Sequence, residues 1–219
     1  DRKDIIDIFN FRFATKEFTG EIIPKEDMEM IAETARLSPS SFGLEPWKFL
    51  IVENKELIKE ISEVSWGFQR QASTTSHIVI ALTKAGSEVK YDSDYIRNLW
   101  INTKGVSEEF FEGIKDVLKN FQVGKLEADE TNEKLLEWSK RQTYIALGNM
   151  MTAAAMREID SCAIEGFDKE KVEEILAKKG ILDKEKYELT YLIAFGYRKE
   201  DPNRKKSRLP KSEVIQWVE

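Results

Sequence analysis

The chain has 219 residues, with 34 basic and 40 acidic side chains and a formal net charge of −6. Hydrophobic residues make up 41% and charged residues 34%, which suits one globular domain of mixed structure and argues against disorder or a general nucleic-acid partner. The single cysteine, Cys162, permits no intrachain disulfide. No apolar run approaches the ~18 residues of a membrane span, and no signal-peptide pattern is visible, so a cytoplasmic protein away from membranes is expected.

A short helical pattern runs from Asp4 to Phe11, followed by a polar and basic stretch to Lys16. Pro24 opens a helix whose Met28, Ile31, Ala32 and Ala35 share one face, and Pro39 stops it. The segment from Ser38 to Pro46 reads as a loop, Trp47 to Val52 as a strand and Lys55 to Val64 as a helix. The apolar run from His77 to Leu82 reads as a buried strand. From Glu88 to Trp138 the chain is helical in flavour, highly charged and broken by Gly105, Gly113 and Gly124. Arg141 to Ile159 is the strongest helix, apolar around nearly its whole girth from Tyr144 to Met156, as for a helix buried on all sides or set in an interface. A strand from Ser161 to Ile164 follows, then a helix from Asp168 to Lys179 with Gly180 as its cap, and a last core strand from Leu189 to Phe195. A basic loop, Arg198 to Lys211, precedes a strand-like Val214 to Val218. Four or five strands without strict βαβ alternation give an α+β fold, a sheet with helices packed on it, in a single domain over residues 1–219.

Familiar catalytic patterns are weak. His77, the only histidine, begins a buried strand and reads as a core residue, and Cys162 reads as a buried structural thiol. No Cys/His cluster suggests a metal, and no glycine-rich nucleotide loop is present. Two tight basic clusters remain in an acidic chain, Arg12 with Lys16, and Arg204, Lys205, Lys206 with Arg208. Such pairs invite a phosphate, although each alone also suits a solvated surface. A third cluster, Lys104 with Lys115 and Lys119, is diffuse.

Four segments in order carry a resemblance. Arg12-Phe13-Ala14-Thr15-Lys16 is similar to an Arg-x-Ser-x-Lys motif, and the loop from Ser38 to Trp47 to Ser-Pro-Ser-x-x-Asn-x-Gln-Pro-Trp. Ala163 to Phe167 is similar to Pro-Ile-Glu-Gly-Phe, and Lys206-Ser207-Arg208 to a C-terminal Lys-x-Arg. Together they resemble the nitroreductase family over nearly the whole chain. The resemblance implies a mostly antiparallel central sheet flanked by helices, in an intertwined homodimer with FMN at its interface. It also implies NAD(P)H as co-substrate and a small-molecule electron acceptor such as a nitroaromatic or quinone, served by ping-pong turnover.

Carried over residue by residue, Arg12, Lys16, Lys206 and Arg208 hold the FMN phosphate and ribityl chain beside Phe13 and Ala14. Ser40 and Ser41, in the loop with Pro39 and Gly43, come from the partner chain. Gln69 and Gln71 face the ribityl chain and pyrimidine edge, and backbone N–H groups of Glu165 and Gly166, after Ile164, reach flavin N5 and O4. Aromatics of the middle segment (Phe110, Phe111, Phe121) are candidates to roof the site, with helix core as the equal alternative. Phe13, Ala14, Gly43, Glu45, Gln71 and Ala163 depart from the family pattern. Related flavin uses (enone, dihydropteridine or azo reduction), an FMN sensor or carrier without turnover, and a helical scaffold are the competing readings.

Overall fold

The computed structural model describes residues 4–128 and 130–219. Its strands are β1 (Trp47–Val52), β2 (His77–Lys84), β3 (Asp160–Ile164) and β4 (Tyr187–Gly196), in one sheet of order β1-β2-β4-β3 with every pairing antiparallel. All eight residues of β2 are buried, because helices cover both faces. One face packs against α3 (Lys55–Glu63) and α8 (Lys169–Lys178) through Leu57, Ile61, Val172 and Leu176. The other packs against α2 (Lys25–Arg36) and α7 (Glu133–Met156) through Met28, Ile31, Ala146 and Met150.

Helix starts follow local chemistry. The side chains of Asp4, Asn54 and Asp168 accept backbone N–H groups at the first turns of α1 (Ile5–Phe11), α3 and α8. Gly180, with φ +70°, closes α8 as expected from the sequence. Helix α7 begins eight residues earlier than its apolar run implies, because Leu135, Trp138 and Ser139 are buried within a charged stretch.

The unclear middle segment folds as α5 (Asp94–Asn98) and α6 (Glu108–Lys119), each running into a π-helical turn, Leu99–Thr103 and Asn120–Lys125. Gly113 and Gly124 therefore lie inside helical runs, and only Gly105, with φ +70°, breaks the chain. Phe111, Leu118, Leu99 and Ile96 form a third core with Trp138 and Leu44. The tail departs from expectation: residues Lys211–Val214 make a short helix, α9, and Val214 to Val218 pair with no strand. Leu209, Val214, Ile215, Trp217 and Val218 are all exposed, since no sheet edge of their own chain lies beneath them.

Candidate functional site

The two basic clusters, nearly two hundred residues apart, meet. Arg12, Phe13, Ala14, Lys16, Arg204, Lys205, Lys206, Ser207 and Arg208 line one cavity of about 280 Å³. A buried junction brings them together. Asp160, at the start of β3, is 1% exposed and accepts from Thr15 Oγ1 (2.8 Å) and from Arg198 Nε (2.9 Å). The Arg198 Nη2 also donates to the Phe11 carbonyl (2.8 Å), and its guanidinium lies 4.2 Å from the Phe11 ring centroid. Thus the segment before Lys16 and the segment before Arg204 are tied to the same carboxylate. A carboxylate this buried persists only with such partners.

The cavity lining holds six cationic side chains and no carboxylate. Burial, and then the charges of Arg12 and Arg208, push the Lys206 ammonium below the ordinary lysine value. Nothing in the lining offsets this mutual repulsion, so the site suits an anion with two or more charges. Lys206 Nζ donates to the Phe9 carbonyl, and Lys16 Nζ approaches Cys162 Sγ (3.2 Å). Ser161, bridged to Ala14, is fully buried, and its hydroxyl has no hydrogen-bond partner among the described residues. That hydroxyl is enclosed and is not part of the cavity lining. Its position within a short apolar strand gave no sign of this in the sequence.

Beyond β3 the chain turns at Glu165 and Gly166. The Gly67 N–H donates to the Gly166 carbonyl (2.7 Å), and the Asp168 N–H to the Val64 carbonyl (2.9 Å), so the turn is laced to the loop after α3. A Cβ on Gly166 would stand 2.8 Å from the Trp66 indole, so any other residue here must displace that exposed side chain. The sequence reading expected the close neighbour of Gly166 to be a flavin; within this chain it is Trp66. Ile164 is 3% exposed and its side chain belongs to the core, leaving only its backbone to a ligand. The Tyr144 hydroxyl donates to the Glu165 carboxylate, and its ring lies 5.1 Å from that of Tyr191. Burial, then the Glu165 hydrogen bond and charge, push the Tyr144 hydroxyl above its ordinary value. Tyr144 was visible only as part of an apolar helix, so sequence reasoning missed this contact.

The glutamines take different places. Gln69 is exposed on α4 (Gln69–Ala72), whereas Gln71 is buried, with Nε2 3.5 Å from Cys162 Sγ and 3.4 Å from the Gly67 carbonyl. Neither lines the cationic cavity. Pro39, Ser40, Ser41 and Gly43 do not line it either. Their loop is fastened to α7: the Ser41 N–H donates to Gln142 Oε1 (2.9 Å) and Asn149 Nδ2 to Ser38 Oγ (2.8 Å). Phe42 and Glu45 have positive φ (55° and 47°) on either side of Gly43 (59°), which adopts it freely, so two non-glycine residues of this loop carry backbone strain of the kind found at ligand sites. Of the candidate roof aromatics, Phe111 is core, Phe121 sits between Phe42 (5.1 Å) and Trp138 (5.5 Å), and Phe110 is exposed. His77 is buried with Nδ1 2.7 Å from Ser76 Oγ, as a core histidine.

An antiparallel four-stranded sheet wrapped by helices, with a cationic cavity beside the start of β3, defines an α+β protein with one candidate anion site. The sequence profile described as "Nitroreductase family" matches residues 10–197. A Bacillus subtilis (strain 168) protein named "Putative NAD(P)H nitroreductase YfkO" is 43% identical over 218 residues, 99% of this chain and 98% of its own length. The chain belongs to the nitroreductase family.

Solved structures share the fold. One, from Exiguobacterium sibiricum 255-15, is described as "a putative nitroreductase in complex with FMN"; it aligns with TM-score 0.74 and 21% identity, over 99% of this chain and 98% of that one. Another, the gut-bacterial enone reductase CLA-ER, aligns with TM-score 0.75 and 21% identity, over 100% and 99%. Among the described residues no helix is long and apolar enough to cross a membrane.

Proposed function

We propose that this protein is a homodimeric FMN-dependent oxidoreductase that passes hydride from NAD(P)H to a small acceptor, a nitroaromatic, a quinone or a similar compound. The observation that carries the reading is the carboxylate-free cavity in which Arg12, Lys16, Lys206 and Arg208 converge. These side chains suit the FMN phosphate, and riboflavin, which lacks it, has no claim on them. Glu165 and Gly166 offer backbone N–H groups to the edge of the ring. The chemistry that FMN supplies when bound is hydride transfer in two halves, in from NAD(P)H and out to the acceptor.

No ionisable side chain is required for either half. Tyr144 and Glu165 hold the turn, and the sheet keeps its backbone fixed. One open cleft serves both substrates in turn, so they alternate. The dimer is supported by exposed apolar surface: Ile5, Ile6 and Phe9 on α1, Ile145 and Met156 on α7, and the exposed tail. An obligate interface of this kind buries about 2,000 Å² or more, and the tail supplies an arm for the partner.

The test is a yellow, dimeric protein that prefers FMN to riboflavin, is bleached by anaerobic NAD(P)H, and gives parallel double-reciprocal lines with menadione. Intersecting lines would show both substrates bound together. A yellow protein that NAD(P)H does not bleach would be a flavin carrier or sensor instead.

A further inference from the structure

A second cavity, of about 350 Å³, lies at the edge of the sheet, where β1 pairs with β2 alone among the described residues. Trp47, Lys48 and Phe49 of β1 line it, with Lys84 from the end of β2, Tyr187 from the start of β4 and Tyr95 from α5. None of these six lines the cationic cavity.

Lys84 is the unusual member, a charged side chain only 9% exposed. Strand pairing puts it there: its N–H donates to the Pro46 carbonyl (2.9 Å), and Tyr187 stands opposite it in register. Its ammonium lies 4.0 Å from the Tyr95 ring centroid and 4.5 Å from that of Tyr187. Its one side-chain hydrogen bond among the described residues goes to Tyr187 Oη (3.1 Å). Glu88 Oε2, at 3.7 Å, is within ion-pairing range and beyond hydrogen-bond distance. The Tyr95 hydroxyl is turned away, toward the Leu44 and Glu45 carbonyls (2.7 and 3.0 Å). An ammonium carries three N–H donors, so one buried in a cavity wall with a single hydrogen bond is short of acceptors.

The remaining charges of the lining define what can supply them. Lys48 stands exposed at the rim, with Nζ 5.7 Å from the same Tyr187 ring centroid. Arg36 is already held by Glu33 through two hydrogen bonds (2.8 and 2.7 Å), and the Glu45 carboxylate faces Lys104 (3.9 Å). Lys84 and Lys48 are left for a ligand, which suits one carboxylate. The rings of Trp47 and Phe49, 6.1 Å apart and tilted by 34°, give the same cavity an apolar wall for a flat ring.

We propose that this cavity binds a flat aromatic monocarboxylate, its carboxylate on the Lys84 and Lys48 ammonium groups and its ring against Trp47 and Phe49. The site goes beyond the functional reading above and does not rest on it.

The experiment titrates 4-fluorobenzoate into the protein, with and without added FMN, and follows the fluorine NMR signal; 4-fluorobenzamide, of the same shape without the charge, is the control. The acid binds at least roughly fivefold tighter than the amide, and FMN leaves its affinity unchanged. Lys84→Met weakens the acid roughly tenfold and the amide little. Lys48→Met, at an exposed position, weakens the acid about threefold and decides the matter if Lys84→Met does not fold. Equal affinities for acid and amide overturn the proposal, as does an affinity unchanged in Lys48→Met. Binding that depends on FMN, or that is lost in Lys16→Ala, places the probe in the flavin cleft or the cationic cavity and also overturns it.

Discussion

The cationic cavity and the Ser38–Pro46 loop were both marked in the sequence as parts of one ligand site, and the structure treats them differently. The cavity is complete within one chain, because Asp160 ties Thr15 and Arg198 to a single buried point. The loop is folded onto α7 by Gln142 and Asn149 and contributes nothing to the cavity lining. A single chain thus builds the cationic cavity, and fastens the Ser38–Pro46 loop apart from it. The contrast teaches that charge convergence can be settled by one buried ionic junction, whereas a loop held by side-chain hydrogen bonds to a neighbouring helix keeps its own place.

The largest effect expected is from removing the junction. Asp160→Ala leaves Arg198 half of a broken, largely buried pair, and such losses cost about 3–5 kcal/mol. Thermal unfolding should therefore drop by about 6–20 °C, and FMN affinity should fall with it as the two basic segments separate. If melting is lowered while FMN affinity is unchanged, the cavity does not depend on the junction.

Next come the cavity walls. Lys16→Ala and Arg208→Ala should each weaken FMN at least roughly tenfold while leaving riboflavin binding as it was, as read by fluorescence titration. Ser41→Ala in the loop should leave the phosphate preference intact. Equal losses for FMN and riboflavin would place the phosphate elsewhere.

The same cavity predicts a pH dependence. Burial and its cationic neighbours lower the Lys206 pKa in the free protein. A bound phosphate raises it again, so binding takes up a proton and FMN affinity falls as pH rises through the lowered value toward the ordinary lysine range. Lys206→Arg should flatten this decline, since a guanidinium stays charged throughout. An affinity independent of pH in the wild type would remove Lys206 from the site.

The smallest effect expected is at the turn. Glu165→Gln retains the backbone N–H and an acceptor for the Tyr144 hydroxyl, and should keep the rate of flavin bleaching by NAD(P)H within about 3-fold, less than 1 kcal/mol of barrier. Gly166→Val, in contrast, drives a side chain into the Trp66 indole and should reduce bound FMN markedly. A dead Glu165→Gln variant with full FMN content would assign the carboxylate a part in proton transfer.

Legibility varied along the chain for physical reasons. The four strands and helices α2, α3 and α8 were readable from their apolar residues, which run unbroken in the buried strands and recur with a fixed period in the helices, and from the prolines that bound α2 and the side-chain caps that open α3 and α8. The stretch between β2 and α7 was not. Its third core depends on Phe111 and Leu118 meeting Leu44 and Trp138, contacts of long sequence separation within a charged background. The tail was misread for the opposite reason: Val214 to Val218 has the composition of a strand, and a strand needs an edge that its own chain does not offer it.

By itself, then, the sequence determined the α+β class, the order of the main elements and the identity of the two basic clusters, because periodicity, capping and charge are properties of short segments. Only the tertiary structure decided that those clusters share one cavity, that Gln71 turns to Cys162 and Gln69 to solvent, and that Trp66 lies on Gly166. These depend on where β3 places Asp160 and on two turns laced through Gly67, and pairings between distant segments leave no periodic trace in a single chain.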